Sequence, residues 1–129
     1  VDAVQEDDFP SVGAINLYHP GFRGPFGLGI SYKKNIPEEW DGPSGKNIIW
    51  KKPISLPGLN SPAIWGNYLF LSGANANSQK LYCYNRLTGG LIWAKDVKDI
   101  PGHPTTPIKV TNDTGHAAPS VSTDGKGFM

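Results

Sequence analysis

Leu81-Tyr82-Cys83-Tyr84-Asn85-Arg86-Leu87-Thr88-Gly89-Gly90-Leu91-Ile92-Trp93 is the stretch that decides the fold. Residues 80–85 (KLYCYN) form a strand in which Leu81 and Cys83 face one way and Tyr82 and Tyr84 the other, because successive side chains of an extended chain alternate. Residues 86–90 (RLTGG) carry turn chemistry. Residues 91–97 (LIWAKDV) then return as the next strand. Both faces of this hairpin are apolar, so each needs cover.

Working outward toward the N-terminus, residues 73–79 are a polar loop and residues 68–72 (YLFLS) a strand that is apolar on both sides. Gly66-Asn67 is a tight hairpin turn. Residues 61–65 (SPAIW) start a strand, with Pro62 near its first position, where proline is tolerated. Residues 57–60 are a loop, and residues 47–54 (NIIWKKPI) are expected to be a further short strand. The segment from 61 to 97 is therefore four strands joined by hairpins. A single sheet of this kind cannot cover itself and must stack between similar sheets, as propeller blades do. No stretch shows sustained helical periodicity, so little helix is expected.

The chain also repeats itself. Ile49-Trp50-Lys51-Lys52 and Ile92-Trp93-Ala94-Lys95 match as Ile-Trp-x-Lys, offset by 43 residues. Propeller repeats run to about 40–50 residues. Ser61-Pro62-Ala63-Ile64 resembles Ala118-Pro119-Ser120-Val121 at an offset of 57, and each is followed by a turn and an aromatic, Phe70 and Phe128. The longer offset implies an insertion in the second link, and residues 100–115, rich in Pro, Thr and Gly, are the place for it. The fold class expected is all-β: a β-propeller of four-stranded antiparallel blades, with one full blade, parts of its neighbours and an irregular N-terminal leader. The leader spans residues 1–46 and the incomplete propeller residues 47–129. A propeller needs about four to eight blades, so the remaining blades are expected from further sequence or from other protein chains.

Within the leader, residues 2–10 read as a mobile lead, with Asp7-Asp8 as a solvated acidic pair. Residues 19–29 (HPGFRGPFGLG) form a loop with fixed bends, and Phe22 and Phe26 are expected to pin it to an apolar surface. Trp40-Asp41-Gly42-Pro43 is a turn.

Composition removes several function classes. Of 129 residues, 18% are charged and the net charge is +1; Lys33-Lys34 and Lys51-Lys52 are only pairs, so the electrostatic footprint of a nucleic-acid binder is missing. No segment approaches the roughly 18 apolar residues of a membrane-spanning helix. Cys83 is the sole cysteine, which rules out an internal disulfide, a cysteine-based zinc site and a CxxCH haem attachment. His19, His103 and His116 lack local metal-ligand spacing, and the serines lack a GxSxG setting or evident His/Asp partners. Neighbouring acids such as Glu38-Glu39 point apart in an extended chain. Gly27-Leu28-Gly29 is too short for a dinucleotide loop. Asn112-Asp113-Thr114 is a glycosylation sequon, with meaning only in a eukaryotic secretory setting.

The 81–93 stretch resembles the repeat of PQQ-like (quinoprotein-type) β-propellers, with the pattern lxAlDxxTGxxxW. Thr88-Gly89 and Trp93 fit it; Asn85 stands where aspartate is commoner and Cys83 where alanine is commoner. The leader is similar to that of a bacterial group of such proteins. It shares a Phe-Arg-Gly-Pro loop (Phe22 to Pro25), the Trp40-Asp41 pair and a Gly-Lys-Asn-Ile-x-Trp segment (Gly45 to Trp50), followed by Ser61-Pro62. The resemblance covers roughly residues 19–129. It implies an exported protein, periplasmic or extracellular, and residues 47–54 as the strand that closes the ring. It also implies a ligand position at the axial mouth, where loops leading into the innermost strands converge. The residues in those loops are Asn60, Ser61 and His116, the candidate cofactor-binding positions.

Catalytic relatives use PQQ with Ca²⁺, an aspartate base and a vicinal disulfide. This chain has no adjacent cysteines and no placed carboxylate cluster, so no catalytic residue or metal ligand is assigned. The expected function is a non-catalytic binding or scaffold module. The alternative is the N-terminal part of a PQQ-dependent dehydrogenase. A WD40-type propeller fits less well, because Trp40-Asp41 lies in a connector.

Overall fold

The computed structural model describes residues 9–127. Its strands are β1 (Ala63–Trp65), β2 (Tyr68–Ala74), β3 (Gln79–Asn85) and β4 (Leu91–Asp96). They form one antiparallel sheet in chain order. Helix is confined, among the described residues, to α1 (Val12–Leu17) and one 3₁₀ turn (Pro25–Gly27). The chain is thus all-β. The expected lead over residues 2–8, Asp7-Asp8 within it, and Phe128 lie outside the described residues. No helix among the described residues is long and apolar enough to cross a membrane.

The hairpin alternation appears as expected. Phe70 pairs with Cys83, and Cys83 with Trp93. Those three side chains lie on one face with Ala63, Leu81 and the downstream Val121. Cys83 is 1% exposed, so the position occupied by a small thiol is closely packed. Tyr82 and Tyr84 stack on the opposite face at 6.2 Å, beside Leu69 and Leu71. Gly66 turns the first hairpin with φ 57°, a left-handed conformation that glycine adopts without steric cost. In the last hairpin the Asn85 side-chain oxygen accepts from Leu87 N at 2.9 Å and Thr88 N at 3.1 Å. An aspartate would accept the same two bonds, so the turn chemistry suits either residue.

Each sheet face is covered by chain from a different side of the repeat. The Leu69–Leu71 face receives residues 50–58. Ser55 Oγ bonds Tyr82 Oη at 2.7 Å, and Ala74 N donates to Pro57 O at 2.8 Å. The Phe70–Cys83 face receives residues 117–127. Val121 is buried there, and Gly125, at φ 88°, lies flat on the Trp65 indole.

Two expected strands are absent. Residues 47–54 form no ladder, and neither do residues 118–121. Residues 50–58 meet the sheet mainly through side chains, with a single backbone bond to β2, from Ala74 N to Pro57 O, too little to form a ladder. The β1 edge is already occupied by the leader. His19 N donates to Ile64 O at 3.0 Å and Ile64 N to His19 O at 2.6 Å.

The leader differs in two further ways. Ser11 caps α1 by accepting from Ala14 N at 3.2 Å, a local N-cap signal ahead of a segment too short to show helical periodicity. Phe22 and Phe26 are 64% and 54% exposed rather than pinned. Arg23, Gly24 and Phe26 all have positive φ, and this backbone turns the two rings outward while burying Gly24 and Pro25. A Cβ on Gly24 would sit 2.8 Å from the His19 ring nitrogen Nδ1, so only glycine permits the approach. Trp40-Asp41 does open a turn, closed by the Asp41–Lys46 bridge. Ser44 N donates to the Asp41 carboxylate at 2.9 Å, and the hydrogen bonds from Ser44 hold that carboxyl below its ordinary pKa.

Candidate functional site

Two sets of contacts tie the sheet to the chain that precedes and follows it. Trp50 Nε1 donates to Arg86 O at 2.8 Å. Its ring lies on Gly89, where an added Cβ would fall 2.6 Å from the indole. Gly89 is buried at φ 68°. Trp50 and Trp93 occupy matching positions in the two Ile-Trp-x-Lys segments of the sequence, but only Trp93 lies in a strand. Trp50 therefore seats on the Thr88-Gly89 turn that precedes Trp93.

The second junction joins the two Ser-Pro-like segments. Ser61 N donates to Ser120 Oγ at 2.9 Å, and Leu59 N to Ala117 O at 3.0 Å. Asn60 Nδ2 donates to Ser72 O and to Ala117 O, each at 2.8 Å. Segments 57 positions apart thus lie side by side. Residues 100–115 loop out between them as exposed turns, tied back by His103 Nε2 to Gln79 Oε1 at 3.2 Å.

The bond from Asn60 to Ala117 O brings the segments of Asn60, Ser61 and His116 together in space, but the three residues open onto three separate clefts. Asn60 lines a narrow apolar cleft of about 280 Å³ with Trp50, Leu69 and Leu71. Its amide hydrogens are committed to two backbone carbonyls, so it acts as a clip between segments. Ser61 lines a cleft of about 590 Å³ between the leader and β1. His116 is half-buried and lines a third cleft, about 800 Å³, under the 97–110 loop with His103, Asp96 and Asp99. These residues do not fit a quinone held by Ca²⁺. Their side chains do not converge on one cavity, and the described residues contain no cluster of three His, Cys, Asp or Glu able to hold a metal ion.

Among the described residues, the clearest shifts are on Cys83, Tyr84 and the Lys80–Asp96 pair. Burial pushes the Cys83 thiol above its ordinary pKa, which keeps it protonated and unreactive. Burial, with a smaller contribution from Tyr82, raises Tyr84 as well. Lys80 and Asp96 pair across β3 and β4 at 2.7 Å; their hydrogen bond raises the lysine and lowers the aspartate. Both are solvated, so the pair contributes little to stability.

The Trp50–Gly89 seat was half legible in the sequence: Trp50 belongs to the Ile-Trp-x-Lys match and Gly89 to a turn, but contact between them is a tertiary fact. The Asn60 clip carried no sequence signal beyond its loop position. Comparison with protein-family models, with curated proteins and with solved structures found no match for this chain.

Proposed function

We propose that the β1–β4 sheet is one blade of a PQQ-like β-propeller, and that the protein is a non-catalytic binding or scaffold module of an exported bacterial protein, periplasmic or extracellular. The observation that carries this reading is the seat of Trp50 on the Arg86–Gly89 turn. A repeat-equivalent tryptophan gripping the next repeat's turn is a rule that propagates from sheet to sheet, and such propagation builds a radial array. The cover of one face by upstream chain and the other by downstream chain supports the same reading. So does the exposed outer strand, where Leu91 is 56% and Ile92 46% exposed. Neighbouring blades, from the same or other chains, are the partners this geometry asks for.

The scaffold reading rests on what the candidate residues do. Asn60 spends its amide on bracing the chain, and Asn60, Ser61 and His116 face different clefts. Addition of PQQ and Ca²⁺ to the full-length protein tests it. The expected result is no retained quinone chromophore and no dye reduction with alcohols or sugars. A bound chromophore with substrate-dependent dye reduction would replace this reading with that of a quinoprotein dehydrogenase.

A further inference from the structure

The two edge strands of the sheet are β1 and β4. In a blade with β4 outermost, β1 is the innermost strand and its outer edge faces the central channel. The leader holds that edge. His19 N donates to Ile64 O at 3.0 Å, and Ile64 N donates to His19 O at 2.6 Å. The Tyr18 ring packs on the Trp65 indole at 5.1 Å.

The next residue of the leader reaches a different segment. Thr123 N donates to Pro20 O at 2.8 Å. Gly21 lies so close to Ser122 that a Cβ on it would fall 2.9 Å from Ser122 Oγ. Ser122 and Thr123 directly follow Ala118-Pro119-Ser120-Val121, the segment that matches Ser61-Pro62-Ala63-Ile64 at an offset of 57. Two consecutive leader residues are thus bonded to β1 and to the chain that continues its downstream counterpart. In a ring of blades, a segment that touches both runs along the wall of the channel.

Beyond Gly21 the leader presents two rings. Phe22 is 64% and Phe26 54% exposed, whereas Pro25 between them is buried. Both rings line one hollow of about 550 Å³ with Trp65 and residues 122–124. This apolar surface is continuous with the His19–Ile64 and Pro20–Thr123 contacts, and a contiguous exposed apolar surface marks a place of contact. More inner strand, of the kind the leader already holds, is the cover that continues those contacts.

Resting on the blade reading above, we propose that residues 18–26 plug the axial channel of the propeller, with Phe22 and Phe26 seated against the inner strands of the remaining blades. The channel is then filled by the protein's own chain, and the axial mouth is closed from within.

Photocross-linking of the full-length protein tests the plug. Phe22→p-benzoylphenylalanine places a photoreactive ring where a ring already stands, at a position exposed enough to accept it. Mass spectrometry of the digest should find cross-links to the counterparts of residues 61–65 in other repeats. The same group at Leu91, on the outer strand, should not reach those peptides. Cross-links from position 22 that miss the inner strands, or inner-strand cross-links from both positions alike, would overturn the plug. Small-angle scattering of the same protein separates the two readings. A compact disc without inner-strand cross-links removes the plug alone, whereas a profile that is not a compact disc removes the blade reading and the plug with it.

Discussion

Trp50 and Gly89 are in direct ring-to-backbone contact across 39 residues of sequence, and the indole N–H is bonded to Arg86 O at 2.8 Å. The contact requires two things of the turn. Position 89 must adopt a positive φ, and it must carry no side chain. One residue type satisfies both.

Gly89→Ala should therefore destabilise the fold by about 2–4 kcal/mol, from left-handed strain plus displacement of the indole. Gly90→Ala is the internal control. Its Cβ would meet only Thr88 Oγ1, at 3.2 Å, and its cost should be well below that of Gly89→Ala. Chemical denaturation of both variants checks the difference; equal losses would contradict the seat.

Trp50→Phe keeps a ring over Gly89 but removes the donor. Because Arg86 is exposed, water can replace the lost partner, and the loss should be near the 0.5–1.5 kcal/mol of an ordinary net hydrogen bond, about 1 kcal/mol. Trp50→Ala should cost about 3 kcal/mol, since it removes the ring as well. Thermal melts of the two variants measure the separation.

Asn60 offers a sharper comparison. Asn60→Ala removes the donor from Ser72 O and Ala117 O, at a cost of about 1–3 kcal/mol. Asn60→Asp should cost more at neutral pH, because it sets a carboxylate against two carbonyl oxygens. Its deficit should shrink as pH falls through the carboxyl pKa, which those oxygens raise. A pH series of denaturation midpoints for the two variants tests this sign.

Cys83 links burial to pH. The folded state holds its thiol protonated by desolvation, so the folded pKa lies above the unfolded one. The associated stability is complete below the ordinary value of 9.0 and declines as pH rises beyond it. Cys83→Ala should flatten the loss of stability above that point, and the parent thiol should resist alkylation at pH 8 until the protein unfolds. Rapid labelling of the folded parent would contradict the burial.

What the sequence made legible follows physical range. The Leu81/Cys83 and Tyr82/Tyr84 alternation and the Gly66 and Gly89 turns are local properties, and they appeared where expected. Residues 47–54 carry strand-like composition, yet form no ladder: whether an extended segment pairs depends on a neighbouring edge, which composition cannot specify. Phe22 and Phe26 were expected to anchor their loop, but the left-handed Arg23 and Phe26 turn both rings outward. Such conformations in non-glycine residues have weak sequence signals. Of the candidate residues, the loop positions of Asn60, Ser61 and His116 were readable, whereas their division among three clefts depends on how the 100–115 insertion and the leader pack.

A high-resolution experimental structure of the full-length protein in its natural assembly is the most direct test of the central claim. The account predicts sheets arranged about a common axis, with the Trp93 ring seated on the glycine of the following repeat's turn as Trp50 sits on Gly89. Sheets closed into a single barrel, or a helical layer packed on the Phe70–Cys83 face, would contradict it.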